Sequence, residues 1–221
     1  LLLDKENLDK EDKEMLSHVS TSGEFLLELI NDILDLGRIE SEKQDLELEI
    51  VDIHTVINSS VIMLSHMAKP KNIDITVESS CEKPLYILAD VQAMNRILNN
   101  LLSNAIKFSN PGSAVQVNTE RTANDKIQLT VQDSGIGIAK EAIPQLFEKF
   151  SRESRPGTAG ERSTGLGLAI VKELVGLQGG SIEVESKEGE GSCFNLQFPI
   201  AKVSPEESKD IEIDNEGLPL G

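Results

Sequence analysis

Three polar side chains, Asn100, Asn104 and Lys107, are spaced four and three residues apart in a mostly apolar segment. If the segment is helical, this spacing puts all three on one face. An amide oxygen is a hard, neutral ligand that suits Mg²⁺, and a lysine ammonium can neutralise phosphate charge. The pattern therefore indicates a site for a metal ion and phosphate; the alternative is a polar helix face that carries a lysine.

A second cluster, residues 133–137, has the sequence Asp-Ser-Gly-Ile-Gly and follows an alternating apolar stretch. The Asp133 carboxylate, at the end of a strand, could accept a hydrogen bond from an exocyclic amino group such as that of adenine. Gly135 and Gly137 would let the backbone approach a ligand closely. Taken alone, the cluster is more typical of an ordinary turn.

A third cluster, residues 163–170, has the sequence Ser-Thr-Gly-Leu-Gly-Leu-Ala-Ile and opens a predicted helix. Glycine backbone at a helix N-terminus offers free N–H groups and the positive end of the dipole to phosphate. The alternative is a flexible helix start. The cluster is neither a Walker motif, because no Gly-Lys-Ser/Thr follows, nor a Rossmann fingerprint, because no strand directly precedes it.

The elements that would position these clusters are also visible. Asp90 is a candidate N-cap for a helix that ends near Phe108, and an alternating apolar pattern predicts a strand over residues 127–131. A loop rich in Gly, Ser and Arg occupies residues 151–164, and a helix over residues 166–177 ends at a glycine pair.

The remaining pattern interleaves helices and strands without regular βαβ alternation. It favours an α/β two-layer sandwich, with a mixed sheet and helices on one face. Further strands are predicted at residues 46–50, 73–77, 115–119, 182–185 and 194–198, and a short apolar piece at residues 85–88 leads to Asp90. Helices are predicted from the Asp52 cap to residue 67 and over residues 141–150.

The N-terminal part predicts one long helix over residues 7–43. Its apolar residues form two rows that would lie beside each other, as in a coiled-coil seam. We expect self-association through this seam; the alternative is a helix packed on its own domain. The rows consist of Leu8, Met15, Leu29 and Leu36, and of Val19, Leu26 and Ile33.

Composition excludes several functions. The net charge of −17 disfavours nucleic acid and anionic lipid as partners. No apolar run is long enough to span a membrane. Cys81 and Cys193 lie far apart and lack metal-ligand spacing, which favours small, buried apolar residues in a reducing compartment. The chain does not begin with methionine, so we expect a piece of a longer protein.

The order and spacing of the three clusters resemble the histidine kinase branch of the ATPase superfamily that includes gyrase, heat-shock chaperones and mismatch-repair ATPases. Residues 100–107 resemble its N box, 133–137 its first glycine box, 147–150 (Phe-Glu-Lys-Phe) its F box and 164–168 its second glycine box. The similarity extends from about residue 14 to residue 200. It implies a Bergerat-type ATP-binding fold, with ATP and Mg²⁺ as ligands.

The resemblance assigns roles to the first two boxes. Asn104 would ligate Mg²⁺, and Asn100 would contact phosphate or metal. Lys107 would meet the phosphates, and Phe108 would lie near the ribose and adenine. Asp133 would bind the adenine amino group. In the same loop, Gly135 and Gly137 would let the chain pass the nucleotide.

It also assigns roles beyond those boxes. Residues 151–164 would be the mobile ATP lid, with Arg152 as its phosphate-facing cation. Arg155 and Arg162 are weaker candidates for that cation. The second glycine box would bind the phosphates through backbone N–H groups of Gly165 and Gly167, and it also contains Thr164 and Leu166.

Three regions follow from the resemblance. Residues 1–43 would form part of the dimerisation and phosphotransfer hairpin, chiefly its second helix, and would make a homodimer. Residues 44–200 would be the catalytic domain, and 201–221 an acidic linker or tail. A response-regulator receiver domain is the implied partner. In some relatives it is fused to the kinase, and a fused receiver in this protein would follow residue 221. The implied location is cytoplasmic, and some relatives are the cytoplasmic part of a membrane-bound sensor.

The sequence departs from the family at the phospho-acceptor. None of His18, His54 and His66 has the family's acidic residue and Arg-Thr-Pro after it, so we interpret all three as structural or surface residues. The acceptor is expected upstream of Leu1, which would leave this chain unable to phosphorylate itself and without a catalytic residue of its own.

One further substitution separates kinase from hydrolase. Asn100 stands where the gyrase and chaperone branches carry a water-activating glutamate, and an amide cannot act as a general base. The resemblance therefore implies a histidine kinase rather than a hydrolysing ATPase. The alternatives are a nucleotide-dependent interaction module and an anti-sigma-type serine kinase.

Overall fold

The computed structural model describes residues 9–40, 46–81, 83–150 and 156–203. Its helices are α1 (Lys10–Glu40), α2 (Ile53–Ala68), α3 (Val91–Phe108) and α4 (Gly167–Leu177). Two short 3₁₀ turns, Lys69–Lys71 and Ile143–Gln145, complete the helical elements of this part of the chain.

The strands form two sheets. A five-stranded mixed sheet has the order β2-β4-β5-β7-β6, in which only the β2–β4 pair is parallel, and β1 pairs with β3 in a small antiparallel sheet. The strands are β1 (Glu49–Asp52), β2 (Asp74–Ser79), β3 (Tyr86–Ala89), β4 (Ala114–Arg121), β5 (Lys126–Asp133), β6 (Ser181–Lys187) and β7 (Gly191–Pro199).

Alternation along the central strands explains the two layers. Every second residue of β4, β5 and β7 is buried beneath the helices, and the residues between them are polar or half-buried. This confirms the predicted α/β sandwich with helices on one face. The buried set includes Val115, Val117, Ile127, Leu129, Val131, Phe194, Leu196 and Phe198.

Two predicted N-caps are confirmed, and both lie at helices that border the core. The Asp52 carboxylate accepts a hydrogen bond from the His54 amide at 3.1 Å and caps α2. At α3, Asp90 accepts one from the Ala93 amide at 2.9 Å. Its second carboxylate oxygen accepts the Glu47 amide at 3.0 Å. Asp90 therefore fastens the approach to β1 as well as the start of α3.

Two predicted elements are wrong in part. Residues 141–150 form turns around the 3₁₀ element Ile143–Gln145 instead of a helix, because Pro144 cannot donate a helical hydrogen bond. The strand expected at residues 46–50 begins only at Glu49 and continues to Asp52, with the register Glu49–Ala89 to Asp52–Tyr86. Pairing with β3 sets the start and end of β1, and the local sequence pattern does not reveal that pairing.

Helix α1 is exposed along most of its apolar surface. Val19, Leu26 and Ile33, one of the two predicted rows, are 64%, 56% and 46% exposed. In the other row Met15 is exposed, whereas Leu36 is buried in the main hydrophobic core. The C-terminal part of α1 thus packs on its own domain, and self-association through the exposed row stays a prediction. Among the described helices, none combines the length and apolar character needed to cross a bilayer.

Replacing Asp90 with alanine should lower the free energy of unfolding by about 1–2 kcal/mol, because the helix cap and the Glu47 contact are both lost. Chemical denaturation would measure the difference. Asp74→Ala, on an exposed position of β2, is the matched control and should have little effect. Equal destabilisation by the two variants would contradict the capping role of Asp90.

Candidate functional site

A cavity lies between α3, the end of β5, the loop that follows β5 and the start of α4. Asn104 and Phe108 line it from α3, and Asp133 lines it from β5. Its walls are mainly apolar, as in most small-molecule sites. They include Ile136, Ile138, Ala142, Leu146, Leu168 and Phe194.

Asp133 is a buried carboxylic acid in the wall of this cavity. It is 6% exposed, and one of its carboxylate oxygens accepts the Gly135 amide at 2.8 Å. Burial raises the pKa of the Asp133 carboxyl, although hydrogen bonds from the backbone of Gly135 and Ser192 oppose that shift. A buried carboxylate in an apolar pocket can select a ligand that brings its own hydrogen-bond donor.

Gly135 and Gly137 pass close to the chain's own backbone. A Cβ on Gly135 would lie 2.2 Å from the Phe108 carbonyl oxygen, and one on Gly137 would lie 2.0 Å from that of Lys187. Gly137 also has φ +65°. The sequence attributed these glycines to passage of a nucleotide; the structure shows that their tight contacts are with α3 and the β6–β7 turn.

Asn100 connects the first cluster to the third. Its side-chain amide donates to the Arg96 carbonyl at 2.9 Å, and its Oδ1 would lie 2.3 Å from a Cβ built on Gly167. Gly167 is the first residue of α4, so the absence of a side chain lets this helix start against α3. Asn100 is therefore held between two helices, whereas Asn104 faces the cavity.

Lys107 and Thr164 contact acidic residues of α1. The Lys107 ammonium lies 3.4 Å from Glu28 Oε1, and the Thr164 hydroxyl donates to Asp32 at 2.7 Å. Asp32 is 2% exposed and also accepts a hydrogen bond from Arg96. Burial raises the pKa of the Asp32 carboxyl, against the lowering effects of Thr164 and Arg96. Lys107, predicted to meet phosphate, and Thr164 of the second glycine box thus already have acidic partners.

The other predicted site residues are distributed differently. The side chain of Leu166 is fully buried in the core, so only its backbone could face a ligand. Gly165 has φ +70°, a conformation that favours glycine. Arg162 lies over the Phe25 ring of α1, with its guanidinium carbon 5.8 Å from the centroid. Arg152 and Arg155 lie outside the described residues.

Sequence reasoning missed several cavity residues. Leu168 was placed in the second glycine box without a site role, Phe194 was assigned only to a strand, and Ser192 was not singled out at all. Pairing of β5 with β7 puts Ser192 opposite Asp133. Neither the strand order nor this register is visible in the sequence. Leu168 could have been identified, because it belongs to the second glycine box.

Comparison with known families shows which family contains the region that forms this cavity. Residues 89–202 match the model of the histidine kinase-, DNA gyrase B- and HSP90-like ATPases. The chain belongs to this ATPase family. The matched region contains α3, Asp133, the loop after β5 and α4, and so includes all the cavity-lining residues.

Relatives place the ATPase domain among histidine kinases. Hybrid signal transduction histidine kinase B of Dictyostelium discoideum is 35% identical over 201 residues, which are 90% of this chain and 10% of that protein. Circadian input-output histidine kinase CikA of Synechococcus elongatus is 36% identical over 219 residues, 97% of this chain and 28% of that protein. The chain therefore spans only a small part of these relatives.

Solved histidine kinases share the fold. Full-length ShkA in complex with AMPPNP superposes with a TM-score of 0.73 at 31% identity, covering 92% of this chain and 42% of that one. The catalytic domain of histidine kinase ThkA gives 0.59 at 25% identity, covering 70% and 96%. The chain is thus an ATP-binding domain of the histidine kinase type, preceded by a helix.

Asp133→Asn should weaken adenine-nucleotide binding about 10- to 100-fold, the effect of losing a hydrogen bond to a charged acceptor. The fold should persist.

The raised folded-state pKa of Asp133 also affects stability. The protonated carboxyl stabilises the folded protein at low pH, and this contribution is lost as pH rises through the folded pKa. The ionised form of Asp133 therefore costs stability at neutral pH.

Titration calorimetry with a non-hydrolysable ATP analogue measures the affinity of this variant, and circular dichroism checks its fold. In the wild type, affinity should also fall as acid protonates Asp133. An unfolded Asp133→Asn protein would show that Asp133 is structural, and unchanged affinity would remove it from the adenine site.

Proposed function

We propose that the chain binds MgATP in this cavity and transfers the γ-phosphoryl group to a histidine on a dimerisation hairpin. The observation that carries the proposal is the presence of Asn104 and Asp133 in one cavity. One supplies a neutral amide oxygen suited to a hard cation, and the other a buried carboxylate suited to an amino group.

The two ends of the cavity fit different parts of ATP. Adenine would lie between the apolar walls and donate its amino group to Asp133, with Phe108 beside the ribose. The triphosphate would extend past Asn104 toward Lys107 and the start of α4. There the backbone N–H groups of Gly165 and Gly167 and the helix dipole favour anionic oxygens.

The Asn104 side chain fits the role of a protein ligand to Mg²⁺. The described residues contain no cluster of three or more His, Cys, Asp and Glu, so a metal here would depend on amide and phosphate oxygens. Bound Mg²⁺ would neutralise charge on the transferred phosphoryl group. Asn100 fits a metal less well, because it does not line the cavity and its Oδ1 lies against Gly167.

Asn100 also limits the reaction with water. A glutamate at this position could remove a proton from water, whereas the amide cannot. We therefore infer that bound ATP stays intact until a histidine is presented. None of the three histidines is proposed as the acceptor, because none is followed by the family's acidic residue and Arg-Thr-Pro. His54 and His66 also have partners within the chain, the Thr119 hydroxyl and the Met63 carbonyl.

The whole protein is proposed to be a two-component kinase that acts in the cytoplasm. The exposed row of α1 would form the homodimer interface, and a receiver domain would take the phosphoryl group, on the same chain or another. The proposed regions are residues 1–43, 44–200 and 201–221. The names of hybrid kinases among the relatives support the receiver as a partner.

Calorimetric titration with a non-hydrolysable ATP analogue should show binding that Mg²⁺ strengthens. Asn104→Ala should abolish that dependence and weaken binding about tenfold or more, because a metal ligand is lost. Asn110→Ala, in the turn after α3, is a matched control. A folded chain that does not bind the analogue would instead favour an interaction module. Rapid MgATP hydrolysis that Asn104→Ala abolishes would favour a conformational ATPase.

Glu28→Gln should tighten binding of the same analogue, because Glu28 competes with phosphate for Lys107. The carboxylate is about half-exposed, so screening limits the gain to about fivefold, equivalent to at most about 1 kcal/mol. Asp12→Asn makes the same charge change at an exposed position elsewhere on α1 and should leave the affinity unchanged. Equal effects of the two variants would attribute the gain to net charge.

A further inference from the structure

A buried lysine from another segment of the chain, Lys71, binds the last turn of α3. Lys71, in the 3₁₀ turn after α2, is 8% exposed, and its ammonium donates to the carbonyls of Ile106 and Lys107 at 2.8 Å each. Cations at a helix C-terminus stabilise the exposed carbonyls and the negative end of the dipole. This turn also carries Phe108, so Lys71 fixes backbone that borders the nucleotide cavity.

The third hydrogen bond of this ammonium reaches the segment before the second glycine box. Lys71 Nζ lies 3.0 Å from Glu161 Oε1. Burial opposes ionisation, but backbone amides and Lys71 together hold the pKa of the Glu161 carboxyl below its ordinary value. A buried ammonium needs such a counter-charge, because an unpaired one would be costly.

Glu161 also organises the segment in which it lies. Its second carboxylate oxygen accepts the Ala159 amide at 2.9 Å, and its carbonyl accepts the Gly157 amide at 2.8 Å. A Cβ on Gly157 would lie 2.3 Å from that carboxylate and 2.9 Å from the Lys107 carbonyl oxygen. Residues 157–161 therefore form a compact turn built around the Glu161 side chain.

This turn is bonded directly to the end of α3. The Thr158 amide donates to the Lys107 carbonyl at 2.9 Å, and the Thr158 hydroxyl donates to the Ser109 carbonyl at 2.6 Å. Two residues after Glu161, the chain enters the glycine-containing cluster that opens α4. The pair formed by Lys71 and Glu161 thus connects two segments that would both contact the triphosphate.

We propose that Lys71 and Glu161 are positioning residues for the nucleotide: together they fasten residues 157–161 to the end of α3 and so set the distance between Lys107 and the second glycine box. This rests on the proposed binding of ATP in the adjoining cavity. Neither side chain lines that cavity, so neither is proposed to touch the nucleotide.

A double-mutant cycle tests the pair. Lys71→Met, Glu161→Gln and the double variant would be titrated with a non-hydrolysable ATP analogue and Mg²⁺, and each would be unfolded with urea. Each single variant should weaken binding about tenfold. The double variant should bind the analogue with the same affinity as the single variant that binds it less tightly, because both substitutions remove the same connection.

Amide hydrogen exchange gives a local measurement. Glutamine at 161 offers only one acceptor oxygen, so it cannot satisfy both Lys71 and the Ala159 amide. Exchange at residues 157–160 should therefore be faster in Glu161→Gln. Glu190→Gln is the control, because it removes the partner of Lys187 in an exposed ion pair of the β6–β7 turn. It should change neither the exchange at residues 157–160 nor the affinity for the analogue.

The outcomes are distinguishable. Faster exchange or lower stability with unchanged affinity would show that the pair is only structural and would overturn the proposal. Additive losses in the double variant would also overturn it. If Lys71→Met does not fold, wild-type affinity in Glu161→Gln is sufficient to reject it. Failure of the wild-type chain to bind the analogue would reject the proposed function instead.

Discussion

The packing of α3 is the constraint on which the site depends. Ile97, Leu98, Leu101 and Leu102 are completely buried, and each contributes about 1.5–3 kcal/mol of hydrophobic stabilisation. Because the helix repeats every 3.6 residues, burial of this row turns Asn104 toward the cavity. The helix that stabilises the core therefore also orients the predicted metal ligand, and rotation of α3 would disturb both.

Electrostatics sets a second constraint, because a chain with a net charge of −17 would otherwise repel a triphosphate. The attraction has to come from local groups, chiefly Lys107 and the backbone at the start of α4. In this structure Lys107 and Thr164 contact Glu28 and Asp32 of α1. Carboxylates of α1 thus lie beside two residues of the proposed nucleotide site, and a bound triphosphate would compete with them for Lys107 and Thr164.

Close backbone contacts hold the separate parts of the site together. Gly135 lies against the Phe108 carbonyl, Gly167 against Asn100, and Gly191 against the Asp133 carbonyl. A side chain at any of these glycines would push apart two segments that line or border the cavity. The glycines of the motifs consequently serve the assembly of the pocket, in addition to any contact with a ligand.

The sequence by itself determined the elements with strong local signals: the Asp52 and Asp90 caps, the periodicity of α3 and the alternation of the central strands. The spacing of the boxes also identified the family. Only the tertiary structure decided the start of β1, the turn conformation at residues 141–150, the position of Ser192 opposite Asp133 and the contacts of Lys71. Caps and periodicities arise between residues close in the chain, whereas strand register and a buried ion pair depend on segments that meet only after folding.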